Sequence, residues 1–208
     1  MRELRFPTKA RLTSELIPDI QVSHGSAVWI LAAMGFSEGV KPATFNHYIK
    51  SLRKLGVPFA YREHGVGSER RVSYSYGHLM ELCLVLSLRV YGTIPDRVIA
   101  GIIERRHELY ELYRRAYIEY STGLGAPVRV TAQGRAEFEL HGVYLDMRIR
   151  FGGGRVIEFR PPRVISPFEA LRVYSKLEIP FPAHLPFNLS EVAAALVEAA
   201  LTKAGGVP

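Results

Sequence analysis

The sequence predicts an α+β protein, and a change of apolar period along the chain is the main reason. From about residue 26 to residue 120, apolar residues recur mostly at helical spacing, whereas beyond residue 127 they alternate as in strands. The segment 121–127 (STGLGAP) divides these two patterns. We therefore predict an N-terminal part with helices and one hairpin, and a C-terminal α+β part, residues 121–208, with a small β-sheet and two helices.

The composition is that of an ordinary folded protein. Of 208 residues, 48% are hydrophobic and 23% are charged, which excludes a disordered chain. The longest apolar stretch, residues 79–90, contains Glu81 and Arg89 and predicts no membrane span, and no secretory signal is recognisable. A single cysteine, Cys83, excludes a disulfide framework and a cysteine cluster for metal. We expect a cytoplasmic protein without a metal or a cofactor.

Two helices joined by a turn are predicted near the N-terminus. The first covers about Ser26 to Met34, and the second runs from Pro42 to about Leu55, where Gly56 ends it. The apolar residues of the second helix, expected to face the first, are Phe45, Tyr48, Ile49, Leu52 and Leu55. Strand-like runs at residues 59–63 and 70–74 flank a glycine-containing turn and predict a hairpin. Helix, turn, helix and hairpin in this order describe a winged helix–turn–helix, residues 1–75.

Positive charge is concentrated in the second helix and the hairpin. The formal net charge is +7. Between residues 41 and 71 two acidic residues, Glu63 and Glu69, face seven basic ones, namely Lys41, Lys50, Arg53, Lys54, Arg62, Arg70 and Arg71. A charge cluster is usually a solvated face, but its coincidence with a turn-and-hairpin pattern favours DNA binding.

Two long helices are predicted between residues 76 and 120. Ser75 caps the first, which runs from Tyr76 to Tyr91, and the second extends from about Ile94 to Tyr120. The second carries more apolar surface than one small domain needs, so we expect a second copy of the chain to cover it. Residues 76–120 are therefore predicted to form a helical dimerisation region.

The C-terminal part predicts short strands, two helices and a loop. The strands are expected at residues 128–131, 137–151 and 155–159, the helices at residues 166–176 and 189–203, and the loop at residues 179–187. Asn188 is expected to cap the last helix. This part could hold a small-molecule effector, or it could dock a partner or support dimerisation, and the sequence does not separate these roles.

Two motifs carry a family resemblance. The second helix contains Thr44-Phe45-Asn46-His47-Tyr48, and the run from Arg71 to Leu79 reads RVSYSYGHL. Over residues 27 to about 115 the chain resembles the MerR family of transcription regulators, whose corresponding motifs are Thr-x-Arg-Tyr-Tyr and Arg-x-Tyr-Ser before a helix; the second motif has one extra residue after Arg71 in this chain. The resemblance implies a homodimer that binds a pseudo-palindromic operator through a recognition helix and a basic wing. Asn46 and His47 replace an Arg and a Tyr of the family pattern.

Nine side chains are candidates for contact with double-stranded DNA. Those of the second helix that would face the major groove are Thr44, Asn46, His47 and Lys50. Cations suited to phosphates are Lys50, Arg53 and Lys54 of the helix, and Arg62, Arg70 and Arg71 of the hairpin. Asparagine suits a bidentate contact with adenine.

No enzyme motif is found, and other functions remain open. His107-Glu108 lacks the second histidine of a zinc protease helix, and the glycine runs at residues 65–67 and 152–154 lie in turns. We expect a DNA-binding transcription regulator and not an enzyme. The alternatives are an architectural DNA-binding protein without sequence-specific readout and a protein-interaction adaptor. The target sequence, and the choice between repression and activation, are not encoded in any motif.

Overall fold

The elements alternate between short strands and helices. A computed structural model describes residues 19–59, 72–89, 96–121, 128–130, 136–138, 143–152, 155–166, 169–170, 172 and 183–205. In chain order its elements are β1 (Gln21–Ser23), α1 (His24–Ala33), α2 (Pro42–Lys54), β2 (Ser73–Ser75), α3 (Tyr76–Arg89), α4 (Asp96–Glu104), α5 (Arg106–Ser121), β3 (Val128–Val130), β4 (Ala136–Phe138), β5 (Tyr144–Gly152), β6 (Arg155–Ile165), β7 (Ala183–Asn188) and α6 (Leu189–Gly205). The predicted α+β class is confirmed.

Glycines end the first two helices in the same way. After α1, the N–H groups of Gly35 and Phe36 donate to the carbonyls of Ala32 and Leu31, at 2.9 and 3.2 Å. Gly35 has a φ of 89°, a left-handed conformation that glycine adopts without strain. Gly56, with a φ of 91°, closes α2 by the same pair of bonds. Both are Schellman motifs, which fix where each helix stops.

The first strand and α3 frame this pair of helices. Strand β1, which the sequence did not predict, pairs antiparallel with β2, so that Val22 lies opposite Tyr74. Ser75 caps α3 as predicted, because its hydroxyl accepts from the His78 N–H at 3.3 Å. His78 Nδ1 accepts in return from the Ser75 N–H at 3.2 Å, which completes a capping box with histidine in the usual place of glutamate. Most of the predicted hairpin, residues 60–71, lies outside the described residues.

The long helix predicted over residues 94–120 is two helices. It breaks at Arg105, which begins α5 by accepting the Leu109 N–H at 3.0 Å. No proline or glycine signals the break. Instead, tertiary contacts hold it, since Arg105 donates to the carbonyl of Pro162, while Arg106 donates to Glu81 of α3.

Helix α6 covers the apolar side of α5 within the same chain. Leu109, Tyr113 and Tyr117 of α5 are each at most 3% exposed, and α6 contributes Leu196 and Val197 to the same apolar core. Helix α6 also packs on α1 and α3. The apolar surface from which a dimer was predicted is therefore buried without a second copy. The homodimer itself stays a prediction.

The larger C-terminal sheet has the strand order β6-β5-β7, with antiparallel pairs throughout. The loop predicted over residues 179–187 is wrong from Ala183 onward, because β7 lies there. Pro186 led to the prediction of a loop because proline is rare inside strands. Strand β7 lies at the edge of the sheet, where a proline is tolerated. Asn188 caps α6 as predicted, and its Oδ1 accepts from Ser190 and Glu191 N–H groups.

The core runs through both halves of the predicted domain division. Val143, Leu145 and Met147 of the β5 region join the cluster that contains Ile30 of α1 and Leu52 of α2. At the sheet, the Leu189 N–H donates to the Val143 carbonyl at 2.8 Å, which ties the start of α6 to the start of β5. The described parts of residues 121–208 are thus continuous with the N-terminal core. The division of the chain into domains stays a prediction.

Candidate nucleic-acid interface

One side of α2 is buried and the other carries polar and basic groups. Phe45, Ile49 and Leu52 face the core and are at most 2% exposed. The opposite side presents the exposed side chains Thr44, His47, Lys50 and Lys54, which we call the α2 face. The helix contains no acidic residue. Its surface is therefore uniformly neutral or positive. The prediction that Leu55 faces the first helix is wrong, since Leu55 lies beyond the helix end and is 46% exposed.

Asn46 lies at the margin of the α2 face and is held by α1. Its Oδ1 is 2.8 Å from Nε2 of His24, and Nδ1 of His24 is 3.0 Å from the hydroxyl of Tyr74. Because the amide oxygen can only accept, Nε2 of His24 donates to it, and Nδ1 lies within hydrogen-bonding distance of the Tyr74 hydroxyl. A continuous hydrogen-bond chain thus joins α2, α1 and β2.

Tyr74 anchors this chain in the core. It is fully buried, and its ring packs edge-on against Phe59 with centroids 5.1 Å apart. Burial raises the pKa of Tyr74, while the nearby Arg53 cation opposes the rise. The hydroxyl is therefore protonated at neutral pH, and it hydrogen-bonds with Nδ1 of His24.

The hydrogen bond from His24 changes what Asn46 can offer a base. A bidentate contact with adenine needs the amide oxygen as an acceptor and the amide nitrogen as a donor. In this arrangement His24 uses one lone pair of the oxygen and holds the amide in one orientation. The N–H groups of Asn46 suit acceptor atoms such as N7 and O6 of guanine or O4 of thymine.

The three cations predicted on α2 have different surroundings. Lys50 and Lys54 are exposed. Arg53 is partly buried, with its guanidinium 5.8 Å from the centroid of Phe59, and it also hydrogen-bonds to Tyr74. A fourth cation, Arg89 at the end of α3, stacks 4.1 Å from the ring centroid of Tyr48. Of the three predicted cations, the two lysines are the ones whose charges face solvent.

The structure brings together the predicted helix residues but does not describe the hairpin cations. Thr44, Asn46, His47, Lys50, Arg53 and Lys54 all lie on α2, whereas Arg62, Arg70 and Arg71 lie outside the described residues. Sequence reasoning missed His24, because 22 residues separate it from Asn46 and no spacing rule links them. Tyr74, the other partner of His24, is fully buried.

Other candidate chemistry can be located on the described part of the chain. Cys83 is fully buried, and burial raises the pKa of its thiol. Among described side chains no cluster of three or more His, Cys, Asp or Glu is placed to hold a metal ion. Within the same residues no helix has both the length and the apolar character that a membrane crossing requires.

Comparison with known proteins gives no match. No family model matches the chain, and no curated protein or solved structure matches it either. The functional interpretation therefore depends on the residues of this chain.

Proposed function

We propose that this chain is a DNA-binding transcription regulator whose α2 enters the major groove. The observation that carries the proposal is the α2 face, on which two exposed lysines and two polar side chains lie on a helix without any acidic residue. Positive and uncharged polar side chains are what a groove-reading helix needs, because phosphates flank the groove and base edges offer donors and acceptors.

The contacts that hold α2 in place favour sequence-specific recognition of bases over nonspecific electrostatic binding. A Schellman motif fixes the end of the helix, and the Asn46–His24–Tyr74 chain fixes the orientation of one amide at its margin. A side chain with a fixed orientation discriminates between bases at lower entropic cost than a mobile one. In this proposal Lys50 and Lys54 supply affinity for phosphates, and Thr44, Asn46 and His47 contact base edges.

A wing formed by residues 59–74 and a homodimer complete the proposed regulator. The wing would bring Arg62, Arg70 and Arg71 to the flanking backbone. Two copies would read a pseudo-palindromic site, in keeping with the two-fold symmetry of most DNA-binding dimers. The C-terminal part is proposed to bind an effector or a partner, and α6 is the physical link from the sheet to α1.

Selection of bound sequences from random duplex DNA tests the proposal directly. We expect a recurrent site that survives competitor DNA, with two-fold symmetry if the dimer forms. An architectural protein would bind DNA of any sequence, and its affinity would fall steeply as the salt concentration rises. For an adaptor, the triple variant Lys50→Gln/Arg53→Gln/Arg71→Gln would keep its function, whereas a regulator would lose DNA binding. Retention of unchanged duplex binding by this variant would contradict the proposal.

A further inference from the structure

The sheet formed by β5 and β6 has one apolar and one charged face. Leu145 and Met147 of β5 are buried in the core. Asp146, Arg148 and Arg150 of the same strand point to the other side of the sheet, because side chains alternate along a strand. Across the ladder Asp146 pairs with Arg163, Arg148 with Arg160, and Arg150 with Glu158. A register shift between the first two pairs brings Arg163 and Arg160 to the same side, so these six side chains share the outer face.

Each carboxylate on the outer face is shared by two arginines. Glu158 lies 3.0 Å from Nε of Arg150 and 2.8 Å from Nε of Arg160. Asp146, which is fully buried, lies 2.9 Å from Nε of Arg163 and 4.0 Å from Nε of Arg148. Two carboxylates therefore face four guanidinium groups, and each trio keeps one uncompensated positive charge. We call Arg148, Arg150, Arg160 and Arg163 the arginine face.

The guanidinium groups are both held in place and accessible. Arg150, Arg160 and Arg163 have side chains 51%, 55% and 47% exposed. Their carboxylate contacts use Nε, so these contacts do not occupy the terminal NH2 groups, which are the pair that binds a phosphate in a forked geometry. The hydrogen bond from Arg160 lowers the pKa of Glu158, and the neighbouring arginines lower it further, which keeps this trio ionised.

The length of the arginine face fits a stretch of nucleic-acid backbone. From Asp146 to Arg150 the strand advances four residues, about 13 Å at roughly 3.3 Å per residue. One DNA strand places a charge about every 3.4 Å along the axis, so this length matches about four nucleotides. Arginines bound to carboxylates on one side lose less side-chain freedom when a phosphate binds on the other.

We propose that the arginine face binds the phosphate backbone of duplex DNA, outside the segment contacted by α2 and without reading bases. The inference goes beyond the proposed function by assigning a ligand to the C-terminal sheet, and it rests on that function only for the choice of duplex DNA as the polyanion. Its contribution is affinity and salt dependence, because backbone contacts carry no sequence information.

The test compares three charge-neutralising variants that remove two cations each. They are Arg150→Gln/Arg160→Gln on the sheet, Lys50→Gln/Lys54→Gln on α2, and Arg114→Gln/Arg115→Gln on α5 as a matched control. Binding to duplexes of about one and about three helical turns, roughly 10 and 30 base pairs, is followed by fluorescence anisotropy. The salt concentration is varied between about 50 and about 200 mM.

The sheet variant should weaken the salt dependence on the long duplex. Loss of two phosphate contacts lowers the magnitude of the slope of log K against log salt by about 1.8. Across this salt range the affinity of the variant should therefore fall by a factor roughly ten times smaller than that of the unmodified protein. The α5 control should leave the slope unchanged. The variant Arg150→Lys/Arg160→Lys should retain most of it, and circular dichroism should show the same fold for all variants.

The outcomes separate this inference from the proposed function. An unchanged slope in the sheet variant, with a reduced slope in the α2 variant, overturns the inference alone. A reduced slope only in the sheet variant supports the inference and overturns the role of α2. Absence of duplex binding by the unmodified protein overturns both. Variant-sensitive binding of a polyglutamate peptide without duplex binding assigns the arginine face to an acidic protein partner and also overturns the inference.

Discussion

The carboxylate of Glu81 accepts two hydrogen bonds from the guanidinium of Arg106, at 2.8 and 2.7 Å, and its side chain is fully buried. The same guanidinium donates to the carbonyl of Gly56. One side chain of α5 thus binds α3 and the turn that closes α2. A buried ion pair of this kind holds three segments in a single arrangement, because separating its charges within the core is costly.

Removal of Arg106 should destabilise the whole fold. In Arg106→Met the Glu81 carboxylate keeps its burial but loses both charged hydrogen bonds, so we expect the free energy of unfolding to fall by about 3–5 kcal/mol. Urea denaturation followed by circular dichroism measures it. The control Arg114→Met, which breaks the exposed pair with Glu111, should cost less than about 1 kcal/mol.

A double variant distinguishes the ion pair from simple packing. Glu81→Leu/Arg106→Met removes both charges, and we expect it to recover most of the stability that the single variant loses. If the double variant were less stable than Arg106→Met by several kcal/mol, the cost would come from lost packing and not from an unpaired charge.

The lysines of the α2 face should set the salt dependence of duplex binding. In Lys50→Gln/Lys54→Gln two phosphate contacts are lost, and the slope of log K against log salt should fall by about 1.8, whatever the DNA sequence. Anisotropy titrations at several salt concentrations give the slope. Arg115→Gln, an exposed cation on α5, serves as the control, and a slope equally reduced in this control would argue against a specific role for the α2 face.

Loss of His24 should change the base preference of the protein and leave its affinity for the DNA phosphate backbone unchanged. In His24→Phe the Asn46 amide loses the hydrogen bond that fixes its orientation, so it can turn and pair bidentately with adenine. We expect selected sites to change towards adenine at one base pair per half-site, with discrimination of about 1–3 kcal/mol. The exposed His107→Phe is the matched control. Identical selected sites for His24→Phe and the unmodified protein would exclude His24 as a positioning residue.

Cys83 should be unreactive in the folded protein. It is fully buried in α3, and burial raises the pKa of the thiol, so the thiolate that alkylating reagents require is scarce. Iodoacetamide labelling should be negligible under native conditions and should become complete in urea, in step with loss of circular dichroism. Rapid native labelling would show that α3 opens locally.

Helix α6 should unfold together with α1 and α5. Leu196 is fully buried between them, so Leu196→Ala should cost about 2–5 kcal/mol. Trp29 of α1, which lies 4.9 Å from the Lys203 ammonium, provides a fluorescence probe on the opposite partner. We expect fluorescence and circular dichroism to change at the same urea concentration. Two separate transitions would indicate that residues 121–208 form an independent domain.

Local signals in the sequence predicted most element boundaries. Proline at the start of α2, glycine after α1 and α2, and the caps at Ser75 and Asn188 each act within a few residues, so spacing reveals them. The same reasoning identified the amphipathic pattern of α2 and hence the α2 face. Local interactions can be predicted from the sequence because their partners lie within a few residues of each other.

Contacts between distant segments were beyond sequence reasoning. The break at Arg105 depends on Glu81 and Pro162, the orientation of Asn46 depends on His24, and the cover on α5 comes from α6. Each partner lies more than 20 residues away, and no periodicity connects the members. The mistaken loop over β7 arose because a proline in an edge strand looks the same in sequence as a proline in a turn.

The path of α6 has a practical consequence for protein engineering. Chimeric proteins can be made by joining the N-terminal half of one chain to the C-terminal half of another, and the segment 121–127 (STGLGAP) would be the obvious joint here. A graft at that joint would discard α6 and leave the apolar sides of α1 and α5 open to water. A chimera of this chain must therefore keep residues 189–205, or replace the helix with one of matching shape.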